Sequence, residues 1–208
     1  MTNKLLSIIS EKYPLTEKER ISGLKCNGMK FDITSYSAEG LGHVSVMLGK
    51  GFFGLMRMDM MIVNPDTVDL PLYSYDRIFA MGNDTLIVEL YDTFSGGGFE
   101  MRDVKGEYTN LIDRDNGEHW YDSVKLDESV AKLGKKADTP LINRLTVDHF
   151  EAYLDAATPS DSPDVKREKA AAYVGGLLDH GGPSTDVFVK RFGKERTAEI
   201  YKTLFGVN

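Results

Sequence analysis

Two carboxylates in this sequence sit where ionisation is costly. In Leu55-Met56-Arg57-Met58-Asp59-Met60-Met61-Ile62-Val63, Arg57 and Asp59 are two residues apart and so share one face of a strand. Met56, Met58, Met60 and Ile62 form the other face, which wants burial. In Tyr73-Ser74-Tyr75-Asp76-Arg77-Ile78-Phe79, Asp76 points away from Tyr75 and Phe79. A charge among methionines and aromatics has to be paired, hydrogen-bonded or kept protonated. Two readings meet that demand. Ion pairs such as Asp59–Arg57 or Asp76–Arg77 would neutralise the carboxylates. Alternatively, both face one ligand pocket from adjacent strands, where mutual repulsion retains a proton near neutrality and leaves an acid able to donate it.

The elements that must position these residues are legible as alternation and punctuation. Asn3 to Tyr13 reads as a short helix with Leu5, Leu6, Ile8 and Ile9 buried, ended by Pro14. Met29 to Tyr36 and His43 to Leu48 alternate as strands; His43, Ser45 and Met47 lie on one face of the second. Gly49-Lys50-Gly51 predicts a hairpin turn into the strand of Arg57 and Asp59. The strand of Asp76 follows, then Leu86 to Tyr91, in which Glu89 and Tyr91 share a face. Consecutive strands with short turns predict an antiparallel meander, not a doubly wound parallel sheet. After Gly96-Gly97-Gly98 the texture becomes helical, with helices predicted over Trp120–Leu133, over Thr146–Leu154 with Thr146 as N-cap, and over Asp164–Leu178. In the last of these, Lys166, Arg167, Glu168 and Lys169 are expected outside, and Ala171, Val174, Leu177 and Leu178 inside. The glycine run has neither a dinucleotide nor a P-loop pattern around it. The expected architecture is an α+β fold, a sheet from the first half with helices mostly from the second half packed on it.

Composition narrows the function classes. A chain of 208 residues suits one domain or two small ones, and 41% hydrophobic with 27% charged residues is a globular composition. The net charge of −7 argues against nucleic acid as partner. No run approaches the roughly 18 apolar residues of a membrane span, and Met1 to Tyr13 lacks the features of a signal peptide. The single cysteine, Cys26, excludes internal disulfides and a Cys-rich metal or iron–sulfur site, and fits a reducing cytoplasm. Nine methionines with ten each of Phe and Tyr suffice either for an adaptable core or for a large apolar cavity.

Taken with their spacing, several of these residues form a pattern that resembles the ferredoxin-dependent bilin reductases, nearest among them the phycocyanobilin-forming enzymes. The pattern runs Gly49-Lys50-Gly51, Met61, Pro65, then Pro71-Leu72-Tyr73-Ser74-Tyr75-Asp76, then Glu89-Leu90-Tyr91-Asp92, and ends in Phe192-Gly193, Ala198, Tyr201 and Leu204-Phe205. The resemblance implies one domain over residues 1–208, with a central antiparallel sheet between two layers of helices. It implies reduction of biliverdin to a phytobilin such as phycocyanobilin, by single electrons from reduced ferredoxin through bilin radicals, with no cofactor bound by the chain. Asp76 takes the place of the family's proton-donating aspartate. Asp59 falls where a histidine is usual, seventeen residues upstream, and Met47 falls where a glutamate is usual. His180 or Asp179 stands near a C-terminal aspartate of the family, and Arg114 near an arginine that binds a substrate propionate.

Other side chains have plainer alternatives. His43 is a candidate pocket residue or a satisfied core histidine, and His119 and His149 read as surface residues. Lys190, Arg191, Lys194 and Arg196 form a basic run suited either to docking acidic ferredoxin or to a solvated helix face, and Lys132, Lys135 and Lys136 form a second cluster. Three functions remain open: a bilin reductase, a reductase of another open-chain tetrapyrrole as in red chlorophyll catabolite reductases, and a bilin-binding protein without the reaction; a small domain with one cavity suits a monomer.

Overall fold

Period-two alternation along the first half of the chain builds the sheet that the sequence predicts. The computed structural model describes residues 1–207. Its strands are β1 (Leu15–Cys26), β2 (Met29–Ala38), β3 (Gly42–Gly51), β4 (Met56–Pro65), β5 (Leu72–Ala80), β6 (Asn83–Tyr91), β7 (Ile112–Asp113) and β8 (Val130–Lys135). They form one sheet in the order β1-β2-β3-β4-β5-β6-β8-β7, antiparallel at every pairing.

Each face buries its own core. On one side, Val44, Val46, Met61, Val63, Tyr73, Tyr75, Leu86 and Val88 meet helices α1 (Thr2–Lys12) and α2 (Thr139–Asp155) through Leu5, Ile9, Ile142, Leu145, Phe150 and Tyr153. On the other, Met29, Phe31, Ile33, Met47, Met60, Ile62, Leu72 and Tyr91 meet α3 (Pro163–His180), α4 (Thr185–Phe192) and α5 (Lys194–Phe205) through Val174, Leu177, Phe188, Ile200, Tyr201 and Leu204. Burying each such side chain stabilises by about 1.5–3 kcal/mol. Both faces are covered, so alternation between strand neighbours selects which helical layer a side chain meets, and neither face is free for charge.

Several local expectations are overturned, each for a physical reason. Leu15 to Cys26 is a strand although five of its twelve residues are charged, because it is an edge strand, interrupted by bulges, whose outer groups stay in water. Gly49 and Gly51 lie inside β3; a Cβ on either would come within 2.6 Å of Phe31 or Met29 on β2, so they make room across the strands. The turn is instead Phe52 to Leu55. Trp120–Leu133 is not a helix: a single 3₁₀ turn at Trp120–Val124 is followed by β8. Thr146 lies inside α2, where its hydroxyl donates to the Ile142 carbonyl at 2.8 Å. In α3, Lys166 is buried and Ala171 exposed, the reverse of the expected faces. Lys166 Nζ donates to the carbonyls of Leu70 at 2.6 Å and Thr93 at 3.3 Å, with Asp69 at 3.7 Å. Burial outweighs the pull of Asp69 and lowers the lysine to about 8.

The α1/α2 layer contains a fully buried ion pair. The Arg77 guanidinium, on β5, donates to both carboxylate oxygens of Asp84 on β6, and Asp84 also accepts the Thr139 hydroxyl at 2.5 Å. Removing one partner strands the other charge in the core. Arg77→Met should therefore cost about 3–5 kcal/mol in urea unfolding, and the Arg77→Met/Asp84→Leu double variant should recover most of it; a single variant of unchanged stability would show that the pair is not enclosed.

Candidate functional site

The register of β4 on β5 decides what Asp76 faces. Asp76 stands opposite Met60, and Asp59 opposite Arg77, so the two carboxylates point to opposite faces of the sheet. The expectation of one pocket shared by both is incorrect; the spacing that would bring a residue beside Asp76 is sixteen here, and it falls on Met60. Asp59 belongs to the α1 side, where Arg57 Nε lies 3.7 Å from it and the Met1 amino group 3.6 Å. Arg57 is half exposed and sits over the Phe79 ring at 4.1 Å. The ion-pair reading thus holds for Asp59 and Arg57. It fails for Asp76, because Arg77 is its strand neighbour on the other face and is taken by Asp84.

Asp76 lines a cavity of about 200 Å³ between the sheet and the α3–α5 layer. The sheet supplies Met58, Met60, Ser74, Asp76, Glu89 and Tyr91 as its floor. Helices α3 and α5 supply Tyr173, Leu177, Tyr201 and Leu204, and the start of α4 supplies Ser184 and Thr185. The segment before β8 closes the side with Arg114, Asn116, His119 and Tyr121. The rings interlock. Tyr91 packs 4.2 Å from Tyr173 and edge-on to Tyr121 at 5.7 Å, and His119 stacks on Tyr121 at 4.8 Å. Trp120 donates its indole N–H to the Gly181 carbonyl at 2.9 Å and lies over Gly176, where any Cβ would collide with its ring.

The electrostatics of this cavity are uncompensated. Asp76 Oδ1 is shielded from solvent and has no hydrogen-bond partner, and no cation is paired with the carboxyl among the described residues. Burial first, and the negative charge of Glu89 on the neighbouring strand second, raise its pKa to about 7. Glu89 itself accepts the Tyr91 hydroxyl at 2.6 Å, with Lys125 Nζ at 4.0 Å. Two more enclosed polar atoms without partners, Asn116 Oδ1 and His119 Nδ1, line the same cavity. Unpaired buried polar atoms are uncommon and costly; three of the five among the described residues line this cavity, the other two being Tyr75 Oη and Arg77 Nη1 on the opposite face, and such a lining suits a polar ligand in apolar surroundings. An acid poised near neutrality beside them can donate a proton.

The remaining predicted site residues divide. Arg114 lines the rim and is exposed. Met47 is on the Asp76 face, opposite Met60 and Ile33, but is packed in the core and does not line the cavity. His43 shares that face and serves the end of α5, its Nε2 lying 3.2 Å from the Leu204 carbonyl. Burial lowers its pKa. His180 is exposed beside Trp120, and Asp179 is paired with Lys194 at 2.8 Å, so neither reaches the cavity. The basic run on α4 and α5 is partly spent on its own acids, since Arg196 pairs with Glu199 at 2.5 Å and Lys194 with Asp179. Lys132 is buried against Asp113 at 2.6 Å. His149 is not on the surface; it bonds the Glu128 carbonyl at 2.9 Å and Tyr73 at 3.3 Å, and burial lowers it to about 4. His119, also expected on the surface, is in the site. Sequence reasoning missed Asn116, Tyr121 and Tyr173, and noted Tyr201 and the Glu89–Tyr91 face without placing them in the site; for the strand residues, parity with Ser74 and Asp76 was the available signal.

No protein-family profile matches the chain, and no curated protein matches it in sequence. Among solved structures it is similar to phytochromobilin synthase from tomato, a selenomethionine form in complex with biliverdin. The two share 13% identity at a TM-score of 0.69, over 99% of this chain and 83% of that one. That likeness establishes a common fold: a central antiparallel sheet between two helical layers.

The raised pKa of Asp76 has a measurable sign. Its folded value lies above its unfolded one, so the folded state holds the proton more tightly and loses stability as pH rises from about 4 to about 7. Asp76→Asn removes the ionisation. Thermal melts should show the variant close to wild type at pH ~5 and more stable at pH ~8; a pH-independent difference would place the Asp76 carboxyl in water.

Proposed function

We propose that the chain, acting as one domain over residues 1–208, reduces a linear tetrapyrrole of the biliverdin type, with reduced ferredoxin as electron source and Asp76 as proton donor. The observation that carries this reading is Asp76 itself: an enclosed carboxyl without a counter-charge, its pKa pushed up to about 7, beside two other unpartnered polar atoms. An open-chain tetrapyrrole brings the matching chemistry, with pyrrole N–H groups for carboxyl and amide oxygens, flat apolar rings for the tyrosines, and anionic propionates for Arg114. The sharing of a fold with a biliverdin complex supports the choice. The enclosed volume of about 200 Å³ is below the ~300–1,000 Å³ of ordinary ligand pockets. It therefore grips part of the pigment, and the propionate-bearing part lies along the open rim near Arg114.

Reducing one double bond takes two electrons and two protons. Ferredoxin supplies the electrons singly, so a bilin radical lies between the steps, and Asp76 delivers a proton to the atom where electron density accumulates and regains one from solvent. Glu89 keeps that proton available by raising the pKa of Asp76, and Tyr91 fixes Glu89. A second reading, a bilin-binding protein without turnover, draws on one observation: across the strands from Asp76 stand Met60 and Met47, neither able to exchange a proton.

Biliverdin titration followed by anaerobic addition of reduced ferredoxin separates the readings. The expected result is a red-shifted bound spectrum, then a change of colour on reduction. Binding without reduction selects the second reading, and no binding removes both. Asp76→Asn should bind biliverdin and stall; unchanged turnover would remove Asp76 as donor. Turnover in wild type should fall as pH rises through about 7, and Glu89→Gln should move that fall to lower pH.

A further inference from the structure

We infer that the end of the sheet formed by the β3–β4 and β5–β6 turns is a docking surface for an acidic electron-carrier protein. The docking surface stands on its own observations; the partner's role as electron donor rests on the bilin-reducing reading.

Phe53 and Met81 are fully exposed, and Leu55 and Phe52 more than half exposed. They stand together: Gly51 pairs with Met56 and Met56 with Ala80, which sets the two turns side by side at one end of the sheet. The backbone makes their display deliberate. Phe52, Phe53 and Met81 have φ of 51°, 55° and 52°, the left-handed region that suits Gly or Asn and is disfavoured for bulky side chains. All three accept an unfavourable conformation, and Phe53 and Met81 accept full exposure with it. Contiguous exposed apolar side chains of this kind mark an interaction site.

Charge selects the partner. Beside the apolar turns, Lys25, Lys30, Lys50 and Arg191 line a shallow hollow of about 500 Å³ at the β1–β2 turn. Phe52 leans toward that turn, its ring 3.3 Å from where a Cβ on Gly28 would be. On the other flank Lys135, paired in register with Asn83, and Lys136 end β8. The acids here are few, with Asp32 3.9 Å from Lys30 and Asp138 accepting the Lys135 backbone N–H. A cationic rim around an apolar centre, on a chain of net charge −7, is complementary to an acidic protein. A flat anionic bilayer would meet the protruding turns but leave the hollow empty; an acidic projection on a protein fills it. The surface is also near the cavity. Ile78 lines the cavity and is three strand residues from Met81, about 10 Å at ~3.3 Å per residue.

The test is direct titration with an acidic plant-type [2Fe–2S] ferredoxin, followed by calorimetry at low and high salt. Phe53→Asn/Met81→Asn removes the apolar centre with a residue that tolerates the left-handed backbone, so folding is not at stake. Lys30→Glu/Lys50→Glu reverses the rim. Wild type should bind with affinity that falls as salt rises, and each double variant should bind at least tenfold more weakly. With biliverdin bound, both variants should keep the pigment spectrum and turnover with a small chemical reductant while ferredoxin-driven turnover falls by the same factor. No ferredoxin binding by wild type, equal binding by the variants, or Phe53-dependent partition onto phosphatidylserine vesicles in its place would overturn the surface as a protein site. Docking by a chain that does not bind biliverdin would keep the surface and overturn its role in electron delivery.

Discussion

A sheet covered on both faces leaves no neutral position for a charged side chain, and this constraint organises the whole molecule. A polar group that strand alternation turns inward costs free energy unless it finds a partner or a cavity. On the α1/α2 side, Arg77 has Asp84 and His149 has Tyr73 with the Glu128 carbonyl. On the α3–α5 side, His43, Ser45 and Asn64 meet the last carbonyls of α5, at Leu204 and Phe205. They satisfy groups that any helix end leaves open and tie the C-terminal helix to β3 and β4. Asp76 is an inward carboxylate for which no such partner exists among the described residues, and it lines the cavity instead.

The surrounding packing holds that space open. Tyrosines line it with rings and send their hydroxyls to its edges: Tyr91 to Glu89, and Tyr201 to Thr185 at 2.7 Å. Lys166 anchors α3 from below through two carbonyls of the loops that flank β5 and β6. Asp69 in turn binds the backbone N–H groups of Ser95 and Gly96 and so fixes the start of the glycine run. The helix that roofs the cavity is thus fastened by polar groups at its first turn and by aromatic stacking near its last, with its position between them set by both.

What the sequence disclosed and what it hid follow from the range of the interactions involved. Alternation is a local property, so the meander and the burial of the Met58–Met60–Ile62 face were legible, and the oddity of Asp76 with them. Register is not local. Whether Asp59 or Met60 stands across from Asp76 depends on a loop being one residue shorter, and parity then reverses the face. Lys166 read as a surface lysine because nothing near it in sequence shows the carbonyls of Leu70 and Thr93 waiting above it. Asn116, His119 and Tyr121 come from a stretch without periodicity, brought to the cavity by the short pairing of β7 with β8. The edge strand β1 was missed because its sequence serves solvent and not a core.

Gly176 sets how closely Trp120 approaches α3 beside the cavity. Trp120 lies flat against α3 only because residue 176 carries no side chain, and Tyr121 and His119 follow Trp120 along the same turn. A single added carbon would push the indole away from α3, and with it the turn that carries His119 and Tyr121 into the cavity lining.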